Sequence, residues 1–140
     1  MAITFRFFHD LAMTQEITSL NPLTATQDTS GATGPVDKTI YFGSVASGNK
    51  AQASSNPGVD PIVISVVDAD GGSGAPATEF RLSLSAITGA ETPGAALNLS
   101  ATINSGTAVP IYTRRESALG VAGTYTDISL KTNSLDETPV

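Results

Sequence analysis

Three carboxylates in the stretch VVDADGGSGAPATEF (residues 66–80) are spaced for cation chemistry. Asp68, Asp70 and Glu79 occupy positions 1, 3 and 12 of a calcium loop. Calcium needs six to eight oxygens, which an EF-hand draws from positions 1, 3, 5, 7, 9 and 12, with glycine at position 6. Here Gly72 stands at position 5, Ser73 at position 6 and Pro76 at position 9. The flanks also read as strands, so an EF-hand is excluded. A looser acidic loop and a plain hairpin connection both remain, and the glycines suit the latter.

Other chemistry is sparse. His9 is the single histidine, so a Ser-His-Asp triad would have to run through an apolar segment near residue 1. No GxSxG, phosphate loop, dinucleotide fingerprint or HExxH is present. Asp136 and Glu137 are adjacent carboxylates that read as solvated charge in a tail. The sequon at residues 98–100 falls inside a strand pattern. Arg114 and Arg115 form the one basic pair; they either grip a partner's carboxylates or sit on the two faces of an edge strand, heads in water. The residues point to a protein that is not an enzyme and that needs no cofactor.

The strongest interaction signal is ITFRFF (residues 3–8). It holds Phe5, Phe7 and Phe8 of the chain's five phenylalanines. Such a concentration marks either a core strand or an anchor into another subunit. Ile3, Phe5, Phe7, Phe8, Arg114 and Arg115 are accordingly the candidate subunit-interface residues.

The chain as a whole limits the partners. Its 140 residues suit one modest domain plus an arm. Seven Lys and Arg against thirteen Asp and Glu give a net charge of -6, which argues against nucleic acid and anionic membranes. No apolar run approaches the ~20 residues of a membrane span. No basic stretch followed by an apolar core marks a signal peptide. The absence of cysteine rules out disulfides and thiolate sites, and fits folding in a reducing cytoplasm.

The supporting elements follow from periodicity, and their character changes near residue 60. Residues 10–20 suit a brief helix with Asp10 as N-cap. Residues 21–35 and 45–61 have loop composition. Strands are expected at 38–44, 61–69, 78–86 (Phe80, Leu82 and Leu84 inward), 97–103, 108–116 and 124–132 (Ile128 and Leu130 inward). Pro110 puts the start of its strand at an edge or bulge. Short strands separated by Gly, Pro, Asn and Ser suggest an all-β antiparallel sandwich. The expected division is an N-terminal docking arm and loop (1–37), a sandwich (38–135) and an acidic tail (136–140). The small core makes homo-oligomeric or multi-copy assembly attractive.

KTIYFGS…AQASSNPGVDPIVISVVDA, PATEFRLSLSA and AVPIYTRRESALGVAGTYTDISLKTNSL together resemble small virion structural proteins of tailed bacteriophages, with VPIYTRR and the closing polar strand similar to the end of immunoglobulin-like or fibronectin-like modules. The likeness spans roughly residues 38–135. It implies an immunoglobulin-like sandwich and a structural role in the virion: capsid decoration, or attachment at neck, tail, baseplate or fibre. The partners would be other virion proteins, and the protein would be made in the bacterial host cytoplasm. The alternative is a carbohydrate- or host-surface-binding module, with calcium as an aid. For that reading Tyr41, Tyr112 and Tyr125 are the available aromatics, all within expected strands.

Overall fold

Strand assignment follows the β-branched and aromatic residues first. The computed structural model describes residues 3–26, 35–69, 76–116 and 128–140. It contains β1 (Arg6–Phe8), β2 (Val36–Gly43), β3 (Asn49–Ala53), β4 (Val63–Asp68), β5 (Phe80–Ser83), β6 (Leu97–Asn98), β7 (Thr102–Asn104), β8 (Val109–Arg115), β9 (Ile128–Thr132) and β10 (Leu135–Pro139). A 3₁₀ turn at Ala77–Glu79 leads into β5. Among the described residues there is no α-helix, and no helix is long and apolar enough to cross a membrane.

The chain is all-β, in three antiparallel sheets ordered β1-β2-β8-β5, β10-β3-β7 and β6-β4-β9, consistent with a β-sandwich. The two smaller sheets run into each other. β4 follows β3, and both are flanked on one side by β6 then β7 and on the other by β9 then β10. Backbone bonds carry the ladders across the break: Leu99 N–H to Ile62 O at 2.7 Å, Ile62 N–H to Ser100 O at 3.2 Å and Ser54 N–H to Ser134 O at 2.9 Å. Asn133 satisfies the kink. Its Oδ1 accepts from Val63 N–H at 3.0 Å, and its Nδ2 donates to Pro61 O at 3.2 Å.

One core serves all three sheets. Ile40, Phe42, Leu82 and Ile111 come from the larger sheet, Ala51 and Ile103 from β3 and β7, and Ile64 from β4, joined by Ile62, Leu99 and Phe5. Each fully buried branched side chain contributes about 1.5–3 kcal/mol relative to exposure.

Several expectations are corrected. If β3/β4, β6/β7 and β9/β10 are taken as three kinked strands, β8 is sixth of seven in chain order. An immunoglobulin-like domain pairs its sixth strand with the third and seventh. Here β8 lies between β2 and β5, because Ile111 and Val109 register against Ile40 and Phe42. Among the described residues the sheet order does not confirm an immunoglobulin-like topology. Residues 10–20 are turns instead of a helix, with Asp10 capping the backbone N–H groups of Thr14 and Gln15. Residues 97–103 split between two sheets. Leu84 lies beyond β5 and is exposed. Pro110, by contrast, sits where expected, at the start of β8 with only β2 beside it, since β5 reaches residues 112–115 alone. Phe5 is in the core, and Leu135–Pro139 form a strand.

Candidate functional site

The N-terminal segment is a preassembled unit. β1 pairs with β2 from Arg6↔Gly43 to Phe8↔Tyr41, and the chain then turns back on β1. Ile17 N–H donates to Phe7 O at 2.9 Å and His9 N–H to Gln15 O at 2.8 Å. Asp10 holds the turn, and hydrogen bonds from Thr14 and Gln15 keep its carboxyl below the usual carboxylate range. The next turn, at Thr18 and Asn21, is tied to the first: the His9 ring Nε2 lies 2.9 Å from Asn21 O, and Asn21 Nδ2 donates to Glu16 O at 3.2 Å. His9 thus has a structural partner. These tied turns lift two leucines into solvent, Leu11 at 64% and Leu20 at 96% exposure.

The segment is seated by both faces of the larger sheet. Phe5 and Phe7 pack on Phe42, with ring centroids 5.9 and 5.1 Å apart. Ile3 is half-buried against the same core. Phe8 points to the opposite face and is buried there. Met13, a non-glycine residue at φ 56°, closes over Gly43 so tightly that a Cβ on that glycine would lie 2.7 Å from Met13 Sδ and 2.6 Å from Thr107 O. With Phe5 buried in the core and Phe8 buried on the opposite face, neither ring presents a free surface in a single copy.

Polar groups complete the seat. Glu137 on β10 is buried, and its two oxygens accept from Thr4 N–H at 2.6 Å, Thr4 Oγ1 at 2.6 Å and Asn49 Nδ2 at 3.0 Å. Thr4 Oγ1 also lies 2.6 Å from Ser44 Oγ. Burial pushes the Glu137 carboxyl up, but the bonds from Thr4 and Asn49 and the charge of Arg6 outweigh it and hold it below its ordinary value. The adjacent Asp136 accepts from Ser54 Oγ at 2.8 Å. The acidic pair read as a solvated tail is therefore a strand whose carboxylates are engaged.

Arg114 and Arg115 lie on opposite faces of the central strand β8. Arg114 grips Asp37 on β2 with two bonds of 2.6 and 2.8 Å, and this partner lowers the Asp37 pKa. Arg115 turns inward, donates to Ala25 O at 2.8 Å and stands 3.7 Å from Glu79 Oε1. Glu79 Oε2 and Arg115 Nε are buried without a hydrogen-bond partner. Both arginines are engaged within the chain. Of the three loop carboxylates, Glu79 is committed to a cation already present, Asp68 ends β4, and Asp70 lies outside the described residues. Among the described residues no group of three or more His, Asp or Glu could hold a metal ion.

The outer face of the larger sheet was missed in the sequence. Tyr41 on β2 and Tyr112 on β8 point to it as diagonal neighbours, since Thr39 pairs with Tyr112 and Tyr41 with Pro110. Beside Tyr112 is a pocket of about 140 Å³ lined by Asp37, Lys38, Thr39, Ala86, Ile87, Tyr112 and Thr113. Strand parity around β2 could have placed both tyrosines outward. Tyr125 lies outside the described residues. Compared with family models, curated proteins and solved structures, the chain matches none.

Proposed function

We propose that this is a non-enzymatic structural component of a bacteriophage virion, a multi-copy accessory β-sandwich attached to other virion proteins through its N-terminal segment and sheet edges. The observation that carries the reading is the pair of tied turns that present Leu11 and Leu20. Loop leucines held rigid and exposed lose little entropy on docking, so their burial by a partner is retained as affinity. Repetition over a symmetric particle turns modest single contacts into stable attachment.

A Leu11→Asp/Leu20→Asp variant tests this. Both positions are solvent-facing, so its thermal midpoint should match the parent within a few degrees. Particles assembled without the protein are incubated with parent or variant and sedimented. The parent should co-sediment and the variant should not; equal co-sedimentation removes the attachment role.

A second reading, a carbohydrate-binding surface, is favoured by Tyr41 and Tyr112 sharing one face beside a pocket. Saccharides stack on such rings and hydrogen-bond to polar rims. A glycan array with and without calcium, repeated with Tyr112→Ala, separates it from the first.

A further inference from the structure

We propose that the N-terminal segment, residues 3–26, is exchanged between copies of this chain, each copy's segment filling the seat of a neighbour. The occupant and its seat are both visible in one molecule. The occupant is Thr4, Phe5, Phe7 and β1; the seat is the edge of β2, the ring of Phe42, Ser44 and the Glu137 carboxylate. Identical copies offer identical seats, so every one of these contacts can be re-formed between molecules, and only the connection changes.

Three features make this segment exchangeable. It is bonded internally, through Ile17–Phe7, His9–Gln15, His9–Asn21 and the Arg6–Glu16 ion pair at 3.4 Å, so it can leave and dock as one piece. Its ladder involves a single strand, β2, at the margin of the sheet; the order β2-β8-β5 persists without it. Residues 27–34, between it and β2, include Gly31 and Gly34, followed by Pro35. Eight such residues reach at most roughly 28 Å when extended, enough to bridge adjacent copies but not distant ones. Exchange is thus favoured where copies are held side by side, and reciprocal pairs or open rows both satisfy every seat. The inference holds whether or not the copies sit on a virion.

The chain has no cysteine, so a position-specific disulfide can report the exchange. Thr4 Oγ1 and Ser44 Oγ are 2.6 Å apart, and Ser44 is fully buried beneath the seated segment. Thr4→Cys and Ser44→Cys are made as separate, differently tagged full-length chains, mixed at equal amounts, unfolded, refolded together at high concentration and oxidised. The Thr4→Cys/Ser44→Cys double variant serves as the geometric control and should close an internal disulfide when refolded dilute. Exchange predicts a covalent heterodimer joined between positions 4 and 44, approaching about half of the chains if exchange is complete and random. Neither single variant alone can give that linkage. If the double variant closes internally while the mixture yields no 4–44 linkage between tags, the segment does not exchange.

Discussion

Replacing Glu137 with Gln isolates the contact between β10 and Thr4, two residues before β1. The amide keeps one acceptor oxygen but turns an NH₂ toward one of the groups now donating to the carboxylate. Thr4 N–H, at 2.6 Å from Oε2, then faces a donor. Leaving this part-buried donor facing another donor costs about 1–2 kcal/mol. The bonds from Thr4 Oγ1 and Asn49 persist but lose their charge, a further loss of about 0.5–1 kcal/mol together. The expected destabilisation is about 1.5–3 kcal/mol, read as a lower urea midpoint at unchanged slope. The pH dependence has a definite sign. The folded pKa of Glu137 is depressed, so its contribution is full above the unfolded value of 4.5 and is lost as pH falls through the folded pKa. The Gln variant should therefore lose less stability than the parent between neutral pH and pH 3. A Thr4→Ala/Glu137→Gln cycle should show coupling of about 1 kcal/mol or more. A Gln variant within 0.5 kcal/mol of the parent at pH 7, or with the parent's acid sensitivity, would refute the reasoning.

Further outcomes follow from geometry. Gly43→Ala should cost about 1–3 kcal/mol by thermal denaturation, because Met13 Sδ can move aside but the Thr107 carbonyl, 2.6 Å from the new Cβ, cannot without shifting the backbone. Glu79→Ala should destabilise by about 3–5 kcal/mol, since it strands the inward Arg115, whereas Glu79→Leu combined with Arg115→Met should be near neutral or stabilising in the same melt. Glu91 accepts from the backbone N–H groups of Thr88 and Gly89, with the Thr88 bond dominant, and these pull its pKa to about 2; a carboxyl-detected NMR titration should find it still ionised at pH 3, and a pKa above 4 contradicts the loop geometry.

How legible this architecture was depends on residue type. β2, β4 and β8 announce themselves through Ile40, Phe42, Ile64 and Ile111, whose side chains favour a pleated, half-buried surface. β3 did not, because NKAQA has neither branched nor aromatic residues, although its Ala51 and Ala53 are fully buried. β10, LDETP, carries proline and two carboxylates, all disfavoured in strands, and it forms at a sheet edge where such residues are tolerated. The break at residues 99–101 keeps the alternating pattern of a single strand, so sequence periodicity gives no sign that the pairing partner changes from β4 to β3. The seat around Glu137 was illegible for another reason. Thr4 and Glu137 are 133 residues apart, and no local pattern records a pairing of that range. The arginine pair was visible, but its partners Asp37, Glu79 and Ala25 follow only from the register of β8.

The same 133-residue separation has a consequence for synthesis. At 5–20 residues per second, Thr4 is made roughly 7 to 27 s before the carboxylate that completes its seat. Loops and hairpins close in microseconds, so β1 and its turns are organised long before then. During that interval the edge of β2, Phe42 and Ser44 are already present, and only the carboxylate of Glu137 is missing from the seat.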